Sequence, residues 1–171
     1  MVKHKKYMIF LTFFSFFSQA GCQKIDRVQN KLLKEVENFN VKDFPDIAFD
    51  KIYILEGMYI AKGKFGIVPP KLETQRGSDS KHYDDFLVFN SNGRVDKFYA
   101  ENIKAAKLLI SKQPSNTIYG ILAKKKEEWV IKTIQAYKMG GYGTYNQHVK
   151  AIDHKVYVQS DGYCSVYLPT E

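Results

Sequence analysis

A chain of 171 residues, 44% hydrophobic and 15% aromatic, has the length of a single packed domain and enough apolar material to bury a core. The formal charge of +8 comes from lysines scattered along the chain, not from the basic stripe with accessible aromatics that nucleic-acid binding needs. Two cysteines, Cys22 and Cys164, allow at most one disulfide and exclude a cysteine-rich scaffold.

Lys3, Lys5 and Lys6 form a basic head, Tyr7 to Phe17 is an apolar run, and Ser18, Gln19, Ala20, Gly21 and Cys22 close it with small and polar residues. A positive head, a short apolar middle and a small-residue tail are the three parts of a secretory signal peptide. The run is shorter than the roughly 20 residues a membrane-crossing helix requires. Its phenylalanines encircle a helix instead of forming one stripe, so a buried core helix is a poor description.

Gln19-Ala20-Gly21-Cys22 resembles the bacterial lipobox. Ala20, Gly21 and Cys22 match that pattern; Gln19 stands where the family usually has Leu or another aliphatic. The resemblance implies cleavage before Cys22, lipid on its thiol, a bilayer as partner through that residue, and a place in the bacterial cell envelope. Gln23 would follow Cys22, which by the enterobacterial sorting rule implies the outer membrane. Ser18-Gln19-Ala20 also reads as a site for the ordinary signal peptidase, which would give a soluble periplasmic or secreted protein. Without the leader the chain keeps 23 basic and 18 acidic residues, a mild net charge of +5.

The expected organisation is therefore a signal peptide over 1–21, a lipidated N-terminus and amphipathic helix over 22–40, and one β domain over 41–171. Ile25, Val28, Leu32, Val36 and Phe39 recur at helical spacing and predict a helix over Lys24–Phe39, with Asn40 as its stop. Strands follow at Lys51–Leu55 and Met58–Ala61, with Gly57 marking a bulge or bend. Phe86–Phe89 and Arg94–Tyr99 flank Asn92-Gly93, a hairpin signal. Glu101–Ser111 carries Ile103, Ala106 and Ile110 on one side and predicts a short helix. Thr117–Ala123 and Trp129–Tyr137 bracket Lys124-Lys125-Lys126-Glu127-Glu128, a solvated hairpin tip. Tyr142–Ile152, Lys155–Gln159 and Tyr163–Leu168 close a meander, with turns at Asp153-His154 and Asp161-Gly162.

The expected fold class is α+β: mainly an antiparallel meander of seven or eight strands, curled into a barrel or half-barrel to avoid exposed edges, with the N-terminal helix and one short helix. Gly57-Met58-Tyr59, the Phe86–Phe89/Asn92-Gly93 hairpin and the Tyr142–Leu168 meander resemble lipocalin-like envelope lipoproteins. That resemblance implies an up-and-down barrel holding a small apolar ligand. The family's Gly-x-Trp start is Gly-x-Tyr here, and its later arginine has no counterpart.

No catalytic constellation emerges. His148 shares its strand face with Thr144, Asn146 and Lys150, and His154 lies in a turn, so neither belongs to a convergent zinc set. Asp84 and Asp85 are adjacent in a strand and point to opposite faces; they read as solvent-facing charge at a strand entry. Cys164 shares its parity with Val166 and Leu168 and reads as a small buried hydrophobe, not a nucleophile. There is no nucleophile elbow or phosphate-cradling loop, so the expectation is no enzyme, no catalytic residue, no metal and no cofactor. Gly66–Lys81 is a long polar loop with Pro69-Pro70, and Tyr142 and Tyr145 on a glycine-rich backbone are candidates for a contact rim. Two functions compete: a lipid-anchored barrel with an apolar ligand in an internal cavity of a few hundred cubic ångströms, or a lipoprotein with a filled core that docks on an envelope complex or inhibits a secreted enzyme.

Overall fold

The computed structural model describes residues 25–66, 83–112, 119–138 and 140–170. Eight antiparallel strands close into a barrel in simple sequence order: β1 Ile52–Ile60, β2 Asp84–Phe89, β3 Arg94–Ala100, β4 Gly120–Lys125, β5 Glu128–Ala136, β6 Tyr142–Ile152, β7 Lys155–Ser160 and β8 Tyr163–Pro169. β8 pairs with β1 from Tyr53↔Pro169 to Ile60↔Tyr163, which removes the last free edge. The antiparallel barrel expected from the alternation is thus fully closed.

One cluster draws buried residues from every strand, among them Tyr53, Leu87, Val95, Leu122, Ile131, Val149, Val156 and Tyr167, and so occupies the barrel interior. The strands keep inward and outward positions in strict alternation except at one place. In β1 the register slips between Leu55 and Gly57, so Leu55 faces Tyr167 and Gly57 faces Val166. Gly57 is the expected bulge, and beyond it Tyr59 turns outward beside Cys164.

Residues 25–35 form helix α1. It is shorter than the sequence suggests, because the chain tightens after residue 35 through bonds such as Phe39 N–H to Val36 O, 3.1 Å. Phe39 leaves the helical stripe to stack on Phe44, with ring centroids 5.2 Å apart. Asn40 caps the following 3-10 turn Val41–Asp43 by accepting the Lys42 N–H. Lys132, outward on β5, is paired with Glu35, and its outward neighbours Ile121 and Val130 are fully buried beneath this side of the barrel.

Helix α2, Ile103–Lys112, is capped by Asn102, whose side chain accepts the Ala105 N–H at 3.0 Å. It sets buried Ala106 against the outer face at Phe86, Ile54 and Phe98. The hairpin turns are of two kinds. In the β2–β3 turn at Asn92-Gly93, Gly93 takes a left-handed φ of +83° and Asn92 does not. Asp153 and His154, at φ 50° and 66°, both take left-handed angles in the β6–β7 turn. Lys124–Glu127 form an exposed tip, as expected. Outward positions of β6 carry Asn146, His148 and Lys150, and α2 packs on the outward residues Phe86, Ile54 and Phe98. No described helix is long and apolar enough to cross a membrane.

Candidate functional site

The two ends of the barrel differ in chemistry. At the end where β1 begins, the segment after α1 folds inward and plugs the barrel with aromatic rings. Phe44 stacks on Phe39, meets Phe49 edge-on at 6.5 Å and lies 5.4 Å from Trp129. Tyr53 below them accepts the Ala48 N–H on its hydroxyl, 2.8 Å, and meets Phe89 edge-on at 5.6 Å. Glycine is required at position 93, because a Cβ there would come 2.5 Å from the Phe39 ring.

The opposite end, where β2 begins and β3 ends, is polar inside. Asp85 shares its inward parity with Leu87 and Phe89, and Lys97 shares its parity with Val95. Their side chains meet within the barrel, Lys97 Nζ to Asp85 Oδ2 at 2.8 Å, with only 19% and 12% of the respective side chains exposed. The Tyr167 hydroxyl donates to the same Oδ2 at 3.2 Å. Lys97 Nζ also lies 5.4 Å from the Tyr99 ring centre and 5.8 Å from that of Tyr119, within cation–π range. The Tyr119 hydroxyl donates to Gln147 Oε1 at 3.1 Å. Asp85 Oδ1 is buried and has no hydrogen-bond partner among the described residues.

Burial alone would lower the Lys97 ammonium, but Tyr167 and Asp85 outweigh it and hold Lys97 above its ordinary value. The amine is therefore held in its protonated form at neutral pH. Burial pushes Asp85 up, opposed by the Lys97 charge and by hydrogen bonds from Lys97 and Tyr167. Burial likewise raises the Tyr119 and Tyr167 hydroxyls, which stay neutral donors. The arrangement is a net-neutral ion pair ringed by tyrosines, with one acceptor atom unused.

The sequence reading of Asp84 and Asp85 as solvent-facing charge holds for exposed Asp84 and fails for Asp85. Asp85 points inward because the hydrophobic register of β2 fixes its parity. Lys97 was not singled out at all, although its parity with Val95 was the available signal.

Around this mouth stand exposed apolar and aromatic residues: Ile60, Tyr83, Tyr99, Tyr137, Tyr142 and Tyr163. Tyr142 thus lies on a rim. Tyr145 is partly buried and tied down, donating to Asp161 Oδ1 at 2.8 Å and accepting the Asp161 N–H at 3.1 Å. Gln19, Ala20, Gly21 and Cys22 lie outside the described residues, as does most of the Gly66–Lys81 loop.

Two further features flank the barrel. Residues 61–66 form a strap over the outer face of β7 and β8: the Tyr59 hydroxyl donates to Phe65 O at 2.6 Å, and Gln159 donates to Gly63 O at 2.8 Å while accepting the Phe65 N–H. Beneath it Cys164 is fully buried beside Val166, on the outer face and not in the interior, and burial raises its thiol above the ordinary range. Beside the strap runs a groove of about 350 Å³ lined by Lys64, Phe65, Glu128, Trp129, His148 and Lys150. It is an open groove of mixed lining, in which charged side chains alternate with Phe65, Trp129, Val149 and Ala151. Glu128 is paired there with Lys64 and lies 3.3 Å from His148. Among the described residues no His, Cys, Asp and Glu groups converge as a metal site.

No family model, curated protein or solved structure matches the chain.

Proposed function

We propose that this is a lipid-anchored envelope protein whose barrel holds a small, largely apolar molecule at the mouth beside Asp85 and Lys97. The carrying observation is the asymmetry of the interior. One end is filled with aromatic rings, whereas the other places a buried Asp85–Lys97 pair among Tyr99, Tyr119 and Tyr167. Ligand sites combine aromatic walls with a few convergent polar groups, and that mouth has both. Titration of the purified protein with the apolar dye N-phenyl-1-naphthylamine tests this. Saturable enhancement at one site per chain is expected, and a purely linear response contradicts it.

The anchor rests on Gln19-Ala20-Gly21-Cys22 and the apolar run before it. In this reading the leader is removed before Cys22 and acyl chains on its thiol hold the protein at the outer membrane; two or more chains hold firmly where one does so marginally. The intact mass of protein from a membrane fraction checks it. A chain beginning at lipid-modified Cys22 is expected, and an unmodified chain beginning at Gly21 would contradict it.

A second reading, a lipoprotein that docks on an envelope protein, is favoured by the exposed mouth rim of Tyr83, Tyr99, Tyr137, Tyr142 and Tyr163. Protection of those residues by a partner in intact envelopes, with no dye binding, would select it.

A further inference from the structure

We infer that Asp85 is the head-group acceptor for a neutral amphiphile, a molecule that donates a hydroxyl or amide N–H from an apolar body. This deepens the binding reading above and rests on it. The first observation is the division of labour on the carboxylate. Oδ2 takes both the Lys97 ammonium, at 2.8 Å, and the Tyr167 hydroxyl, at 3.2 Å, while Oδ1 is buried with no partner among the described residues. A buried acceptor left unmade costs stability that an incoming donor recovers.

Charge decides which donor fits. The carboxylate is already neutralised by Lys97, so a cationic head reaching Oδ1 meets the ammonium on the other side of the same group. An anionic head drawn to Lys97 meets the carboxylate instead. At these separations and with water largely excluded, like charges repel strongly. A neutral donor meets neither penalty. The gate is Tyr99, the most exposed ring of the set, with 62% of its surface free; the other rings are held, Tyr119 by Gln147 and Tyr167 by Asp85. Tyr99 moves to admit the head group, and the apolar body then lies against the tyrosine rings.

Four probes that share one alkyl chain separate the possibilities: 1-decanol, decyl methyl ether, decanoate and decylamine, each displacing N-phenyl-1-naphthylamine from the full chain. Decanol is expected to bind roughly tenfold or more tightly than the ether, the difference a hydrogen bond to a charged acceptor makes. Both ions are expected to bind more weakly than decanol. Asp85→Leu combined with Lys97→Met, which leaves no stranded charge, is expected to bring decanol and the ether to equal strength. If all four displace the dye equally in the unmodified protein, or an ion is preferred, the head-group inference is overturned while the binding reading stands. Absence of any dye binding overturns the binding reading itself.

Discussion

Lys97 and Asp85 meet inside the barrel although they are not register partners: Asp85 lies opposite Tyr99 and Lys97 opposite Leu87, so the ion pair is a diagonal contact between neighbouring inward positions. Diagonal neighbours on a sheet face are within reach of long side chains, and here the lysine stem spans the step. Its ammonium is also the partner on which the carboxylate depends.

Breaking this pair from either side leaves a buried charge alone. Lys97→Met strands the carboxylate and Asp85→Asn strands the ammonium, and about 3 kcal/mol is expected for each, or a melting temperature lower by roughly 6–12 °C. Asp85→Leu combined with Lys97→Met strands no charge and should lose less than either single variant. Thermal unfolding of the three variants checks this; a double variant less stable than both single variants would contradict it.

Acid response follows from the direction of the Asp85 shift. A carboxyl raised above 3.8 binds its proton more tightly in the folded state, so its contribution is full below 3.8 and is lost as pH rises through the folded value. The unmodified protein should therefore gain stability relative to Asp85→Asn as pH falls from 7 toward 4. Urea midpoints across that range test it. A relative loss, the behaviour of a carboxylate held down by a salt bridge, would contradict it.

The plug gives two further expectations. Phe44→Ala removes a buried ring packed on Phe39, Phe49 and Trp129 and should cost about 3–5 kcal/mol. Gly93→Ala forces a side chain into φ +83°, about 1–2 kcal/mol in backbone alone, and drives its Cβ at the Phe39 ring. Denaturant unfolding measures both; a neutral Gly93→Ala would show that the Phe39 contact is not held in solution.

Cys164 is fully buried with a raised thiol, so the native protein should resist iodoacetamide there and react only on unfolding. If the Cys22 thiol is acylated, the unfolded chain takes up one label in all. Two labels would contradict acylation, and rapid native labelling at Cys164 would contradict its burial.

The strap is secured from both sides by Gln159. Gln159→Ala should leave the barrel folded and raise exchange of the Phe65 amide, which donates to Gln159, by about tenfold, the loss of about one hydrogen bond. Hydrogen exchange resolved to that segment decides the matter.

Much of the fold was legible because strand alternation and turn residues are local signals. Gly57 announced the bulge, Asp161-Gly162 the last hairpin, and Ile103, Ala106 and Ile110 the covering helix. The plug was not legible: Phe39 continues the helical spacing of α1, yet its ring is taken by Phe44 and Gly93, a tertiary pull that overrides the local pattern. The burial of Cys164 was foreseen, but its covering was not, since the strap that hides it depends on Tyr59 turning outward after the bulge. The polar mouth was hidden for a related reason. Neighbouring Asp84 and Asp85 look alike in sequence, and only the register of Leu87 and Phe89 sends one to solvent and the other to Lys97.

Backbone amide NMR during titration with 1-decanol interrogates the proposed site most directly. Saturating shifts are expected at Asp85, Lys97, Tyr99, Tyr119 and Tyr167, with Phe44 and Gly93 in the plug unmoved. Shifts centred on the plug or on the Lys64–His148 groove, or small linear drifts spread over the whole surface, would contradict a ligand site at the mouth.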